Sequence, residues 1–129
     1  MAKRKIELCD CAGEIVRALR PGILITTKAG GKVNSMTIGW GTLGIIWNRP
    51  VFIAYVRDCR YTREMLDKNP EFTINVPVGD YDRNALGLLG SKSGRDMDKI
   101  AAVERHRKEI SDHVPIVLNV NLNKHESEE

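Results

Sequence analysis

Apolar residues recur at helical spacing in residues 12–19, where Ile15, Val16 and Leu19 share one side and Arg17 and Arg20 the other; this predicts a short helix. Pro21-Gly22 ends it. The period then changes. Residues 23–28 form a β-rich run, Ala29-Gly30-Gly31-Lys32 reads as a turn, and residues 33–42 resume the strand pattern. Asn48-Arg49-Pro50 breaks the chain before a strongly apolar strand over residues 51–56. A second short helix opens at Tyr61-Thr62-Arg63-Glu64, with Thr62 as its N-cap, and Asn69-Pro70 closes it. Residues 72–76 predict another strand, stopped at Pro77. Asp82 is placed to cap a helix running through Leu89, with Gly90 as its C-terminal glycine. Residues 96–110 read as a less amphipathic helix. Residues 116–122 read as a last strand, with Leu118, Val120 and Leu122 alternating against Asn119, Asn121 and Asn123.

Five strands with short inserted helices and no strict βαβ alternation favour antiparallel pairing, and a small barrel is the economical way to remove open edges. The expected fold class is therefore mainly β with short helices. A chain of 129 residues has room for one domain, residues 1–129, and for one core.

Composition narrows the function. The apolar share of 42% is that of a globular chain. Twenty basic against seventeen acidic residues leave a net charge of +3, spread along the sequence. Two tryptophans, three tyrosines and two phenylalanines are too few for a basic face interleaved with aromatics, so no nucleic-acid partner is expected. Lys3-Arg4-Lys5 and Arg105-His106-Arg107-Lys108 read as solvated runs. The first fifteen residues lack the apolar stretch of a signal peptide and no run approaches the ~20 residues of a membrane span, so the expected setting is the cytoplasm, away from membranes. Three cysteines, Cys9, Cys11 and Cys59, cannot all pair within one chain, which suits a reducing compartment. Cys9 and Cys11 have no second Cys/His pair at ligand spacing, so no metal is expected.

The familiar enzyme motifs fail on physical grounds. Gly39-Trp40-Gly41-Thr42-Leu43-Gly44 matches G-x-G-x-x-G by letter, with Asp58 at a tempting distance. That motif needs a helix starting in the glycines to meet a pyrophosphate, and only Ile45-Ile46-Trp47 precede Asn48-Arg49-Pro50. The glycines instead relieve crowding on a bent strand or admit a ligand. Gly87-Leu88-Leu89-Gly90-Ser91-Lys92-Ser93 misses the phosphate loop because Ser91 stands where glycine must precede the lysine. Cys59, between Asp58 and Arg60, is a lone loop cysteine; His106, His113 and His125 lie in polar surroundings, and no hydrolytic triad stands out.

The informative stretch is residues 34–62. Asn34-Ser35-Met36-Thr37-Ile38-Gly39-Trp40, then Pro50-Val51-Phe52-Ile53-Ala54-Tyr55-Val56-Arg57, then Arg60-Tyr61-Thr62, resembles the flavin reductase-like family, and Ser93-Gly94-Arg95-Asp96 with Asp98-Lys99 extends the likeness. It covers roughly residues 20–101 in order and spacing. The resemblance implies the FMN-binding split barrel, a homodimer with the flavin near the subunit interface, and flavin-lining residues at Asn34, Ser35, Met36, Thr37, Trp40, Arg60, Tyr61 and Thr62, with Ser93 and Lys99 added from a more variable region.

The residues themselves agree. Thr62 at a helix start, with Arg57 and Arg60 just before it, suits a monoester phosphate, or else both arginines are solvated loop charges. Asn34, Ser35 and Thr37 supply donors and acceptors for an isoalloxazine edge, backbone N–H groups near Met36 and Thr37 can address its polar rim, and Trp40 either packs by the ring or belongs to the core. The activity implied is an NAD(P)H-dependent flavin reductase, FMN accepting hydride from NADH or NADPH. That transfer needs ring stacking and no dedicated acid or nucleophile, so no catalytic residue is assigned. Two other readings remain: an FMN-binding electron carrier or flavin storage module without nicotinamide oxidation, and a split barrel that binds no flavin. The first two leave room for a flavin- or electron-accepting partner protein. Family members continue beyond the part matching Asp98-Lys99 with strands and a helix that complete the barrel and cover the flavin. The resemblance thus implies a shortened C-terminal part, closed by residues 116–122 or by a strand from a second subunit, and an obligate dimer.

Overall fold

The computed structural model describes residues 5–79, 81–109 and 116–120, with side chains through residue 104. The chain runs α1 (Leu8–Leu19), β1 (Ile23–Ala29), β2 (Lys32–Ile38), β3 (Gly41–Ile46), β4 (Arg49–Ala54), α2 (Tyr61–Lys68), β5 (Phe72–Val78), α3 (Arg83–Ser91), α4 (Lys99–Glu109) and β6 (Ile116–Val120). All pairing is antiparallel, as expected. The strands form a four-stranded sheet in the order β2-β1-β5-β6 and a separate two-stranded β3-β4 sheet, so among the described residues β2 keeps one free edge.

Packing explains where these elements lie. Cys11, Ile15 and Leu19, four apart on α1, are buried against the face of the large sheet that carries Ile23, Ile25, Met36, Ile38, Ile74 and Val76. Phe52 of β4 joins this core from the small sheet. Each fully buried aliphatic side chain here contributes about 1.5–3 kcal/mol of transfer free energy. The helix starts one turn earlier than the sequence pattern predicts, because Leu8 and Cys11 extend the apolar stripe. Gly22 links it to β1 at φ 122, and a side chain there would strike Thr37.

The two hairpins turn alike with different residues. Ala29 pairs with Lys32 across Gly30-Gly31, the predicted turn, both at positive φ. Ile46 pairs with Arg49 across Trp47-Asn48, at φ 48 and 58. Asn48-Arg49-Pro50 is thus a hairpin tip and the start of a strand, not a break. The single strand expected over residues 33–42 is two strands, parted at Gly39-Trp40 where the chain leaves one sheet for the other.

Three further corrections concern caps. Arg60, not Thr62, is the N-cap of α2, and Thr62 sits inside the helix, 1% exposed. Gly90 lies within α3, whose C-cap is Lys92; its small size serves close packing, since an added methyl would sit 3.1 Å from Thr37 Cβ. The third is α4, which begins at Lys99 rather than at residue 96. Asp82 caps α3 as predicted, accepting from the N–H groups of Asn84 and Ala85 at 2.9 and 3.2 Å. Lys3, Arg4, His113, His125 and residues 121–122 lie outside the described residues, as do the side chains of residues 105–108.

Candidate functional site

The free edge of β2 faces a cleft of about 220 Å³, bounded by Met36 to Trp40, Tyr55, Arg57, Arg60 and Gly90. Five of the residues singled out from the sequence meet there: Met36, Thr37, Trp40, Arg57 and Arg60. An edge strand offers unpaired N–H and C=O groups along its rim, so this wall is polar although Met36 and Ile38 turn apolar side chains to the core. The Arg57 guanidinium stacks over the Trp40 ring at 5.7 Å. Trp40 is therefore a wall of the cleft, 62% exposed, and not a core residue.

Pleating divides the 34–37 run. Asn34 and Met36 point to the core side, where Asn34 Nδ2 donates to Thr62 Oγ1 at 3.3 Å and the Thr62 hydroxyl contacts Met36 Sδ at 3.6 Å. The Thr27 hydroxyl lies 3.4 Å from both Asn34 O and Met65 Sδ. Thr62 thus holds the back of the cleft rather than presenting its hydroxyl to it. Ser35 and Thr37 point the other way. Ser35 Oγ lies 3.0 Å from Thr26 Oγ1, and the Thr37 hydroxyl donates to Leu86 O at 2.7 Å, tying β2 to α3.

Tyr61 lies between two cations, Lys32 Nζ at 4.8 Å and the Arg95 guanidinium at 5.8 Å from its ring. Lys32 Nζ also donates to Gly94 O at 2.8 Å, and Arg95 pairs with Glu64, which pins the loop before α4 onto the start of α2. A side chain at Gly94 would strike Asn34 and come within 2.7 Å of Tyr61, so this glycine permits the close approach. Ser93 Oγ accepts from the Arg95 N–H at 3.2 Å and shapes that loop.

Lys99 is buried, 3% exposed, and its ammonium donates to Leu89 O at 3.0 Å near the end of α3. Burial first, and then the Arg60 charge, hold its pKa below the ordinary 10.5. Among the described residues no carboxylate pairs with Arg57, Arg60 or Lys99; the ion pairs engage Arg63 and Arg95.

Ile38, Gly39, Tyr55 and Gly90 were missed as cleft residues; the run from Phe52 to Val56 is apolar throughout, so no alternation in the sequence marks Tyr55 as the one facing the cleft. The G-x-G-x-x-G letters fall on β3 and the bend before it, so no helix starts in them, and residues 87–91 lie inside α3. Cys9 and Cys59 are exposed and Cys11 is buried; among the described residues no three Cys, His, Asp or Glu side chains group as a metal site. No helix among them is long and apolar enough to cross a membrane.

No family model matches the chain. It is 27% identical over 105 residues to a high molecular weight rubredoxin of Moorella thermoacetica, an alignment covering 78% of this chain and 45% of that protein. Among solved structures it is similar to the flavoredoxin of Desulfovibrio vulgaris (Miyazaki F), with TM-score 0.58 and 26% identity over 65% of this chain and 45% of the other. An FMN-binding protein from Thermus thermophilus, with bound 1-cyclohex-2-enone, superposes with TM-score 0.54 and 26% identity over 63% and 44%. An FMN-binding domain of a flavin reductases-like enzyme from Shewanella baltica OS155 superposes with TM-score 0.57 and 21% identity over 77% and 50%. The chain spans about half the length of these relatives. The fold they share is the one expected from the sequence, a mainly β split barrel with short helices.

Proposed function

We propose that the cleft on the β2 edge binds FMN, that the chain is a flavin redox protein, and that it takes hydride from NADH or NADPH. One observation carries the reading: Arg57 and Arg60 line the cleft beside an edge strand, Lys99 is buried within reach of the Arg60 charge, and among the described residues no carboxylate pairs with any of the three. The donor set fits the cofactor. A phosphate monoester carries nearly two negative charges and suits such a cluster, while the polar rim of an isoalloxazine needs both donors and acceptors, which an edge backbone supplies. Similarity to an FMN-binding protein and to a flavoredoxin of the same fold supports it.

The residues then have distinct tasks. Arg57 and Arg60 meet the phosphate, and Lys99, the buried cation, regains the counter-charge its site lacks. Met36 and Thr37 offer backbone groups to the ring, and Trp40 walls it. Asn34, Thr62, Tyr61 and Ser93 brace these from behind through the contacts above. Bound FMN supplies the hydride-accepting ring, and the protein contributes orientation and shielding from water. The similarity to a rubredoxin favours a second reading, an FMN-bound electron carrier that does not oxidise nicotinamide itself.

Titration calorimetry tests the binding. FMN binds at least tenfold more tightly than riboflavin, and Arg60→Glu abolishes that preference; equal affinity for the two flavins sinks the phosphate assignment. Rapid bleaching of the bound flavin by NADH or NADPH under anaerobic conditions selects the reductase, and a yellow spectrum that persists selects the carrier.

A further inference from the structure

We infer that Arg95 is a positioning residue: it holds the turn that carries Arg57 and Arg60 against the start of α2, acting through Glu64 and the Cys59 carbonyl and not by touching a ligand. The consequence for FMN rests on the reading above; the clamp itself is a property of the flavin-free chain.

The turn needs holding. Arg57 and Arg60 sit at its two ends, closed by the Arg60 N–H donating to Arg57 O at 3.1 Å. Both line the cleft, and the Arg60 charge bears on the buried Lys99. Among the described residues no carboxylate pairs with any of the three, so like charges push the turn away from the segment that carries Lys99. The Asp58–Arg63 pair, at 2.8 Å, ties the turn to α2 from within. The Asp58 side chain is 94% exposed, and so hydrated a pair contributes little.

Arg95 supplies a second tie, from a distant part of the chain. Its Nε and Nη2 both donate to Glu64 Oε1, Nε at 3.0 Å, and its Nη1 donates to Cys59 O at 3.5 Å. One guanidinium thus spans the arginine-bearing turn and the first turn of α2. A planar fork does this, and the point charge of a lysine does not. The backbone from which Arg95 springs is itself fixed. Ser93 Oγ accepts its N–H at 3.2 Å, Ser93 O accepts the Asp96 N–H at 3.1 Å, and Gly94 O accepts from Lys32 Nζ at 2.8 Å.

Two features keep Arg95 out of the anion site. It does not line the cleft, and Glu64 neutralises its charge. What it contributes is preorganisation: the cationic turn is in place before an anion arrives, so binding does not have to order it.

Amide hydrogen exchange on the flavin-free full chain tests the clamp. In Arg95→Ala and Arg95→Lys the Arg60 and Arg63 amides exchange about tenfold faster, while those of Ile25 and Ile74 in the core keep their wild-type rates. Flavin titrations read the consequence. FMN affinity falls about fivefold in both variants and riboflavin affinity does not change. Glu64→Ala separates position from charge, because loss of a carboxylate strengthens anion binding by Coulomb attraction alone, whereas loss of the clamp weakens it; the weaker binding is the expected result. Unchanged exchange at Arg60 in Arg95→Lys overturns the inference. So does a Glu64→Ala chain that binds FMN more tightly, or a parallel fall in FMN and riboflavin affinity. A wild type that binds both flavins equally sinks the FMN reading alone, and the exchange rates still decide the clamp.

Discussion

Lys99 carries the sharpest single-residue consequence. Its folded pKa lies below 10.5, through burial first and the Arg60 charge second, so between the folded value and 10.5 the unfolded chain binds more protons than the native one. Unfolding free energy therefore rises with pH across that window, and at lower pH the full cost of a buried cation with no carboxylate partner among the described residues remains. In Lys99→Met this alkaline rise disappears, while FMN affinity falls about tenfold, or about 1.4 kcal/mol, and riboflavin affinity does not change. Urea denaturation at a series of alkaline pH values, beside flavin titrations at pH 7, checks both halves. The role of Lys99 could be guessed from its place in a resembling motif, but its burial could not, because a lysine in a polar stretch reads as solvated. Thr62 shows the converse. Its chemistry as a hydroxyl at a helix start was legible, yet its hydroxyl turns inward to Asn34 and Met36, since α2 begins at Tyr61 and brings that face against β2.

Elements were legible where local chemistry alone selects them. Gly30-Gly31 announces a two-residue hairpin because glycine meets no steric cost at positive φ, and Asp82 announces a helix because its carboxylate satisfies free N–H groups. Trp47-Asn48 makes the same kind of turn without the same letters, held by the pairing of β3 with β4 on either side. Gly90 has the composition of a C-cap but is needed for its missing side chain next to Thr37. At this scale Gly41 is the critical position. A methyl group there collides with the buried Phe52 ring, so Gly41→Ala costs about 1–3 kcal/mol through overpacking. A lowered denaturation midpoint with an unchanged slope is the expected result.

At the scale of the molecule, ligand binding and folding are linked. FMN bound only by the native chain stabilises it by about 2.7 kcal/mol at about 100 times its Kd. For a chain of this length that is on the order of 10 °C in Tm. On the proposed assignment riboflavin at the same concentration gives a smaller shift, because it lacks the phosphate assigned to Arg57, Arg60 and Lys99; differential scanning fluorimetry reads both. The site depends on this scale because its walls come from separate places: the β2 edge, the β3-β4 base, the approach to α2, and α3.

Hydrophobic period, turn residues and capping groups are short-range properties, and from them the sequence alone determined antiparallel strands with short helices and denied a helix to the glycines at 39–44. Which strand keeps a free edge, which lysine loses its water and which apolar hairpin stands clear of the core depend on contacts between residues far apart in the chain. Only the tertiary structure decided those, because burial is a property of what packs against a residue and not of the residue itself.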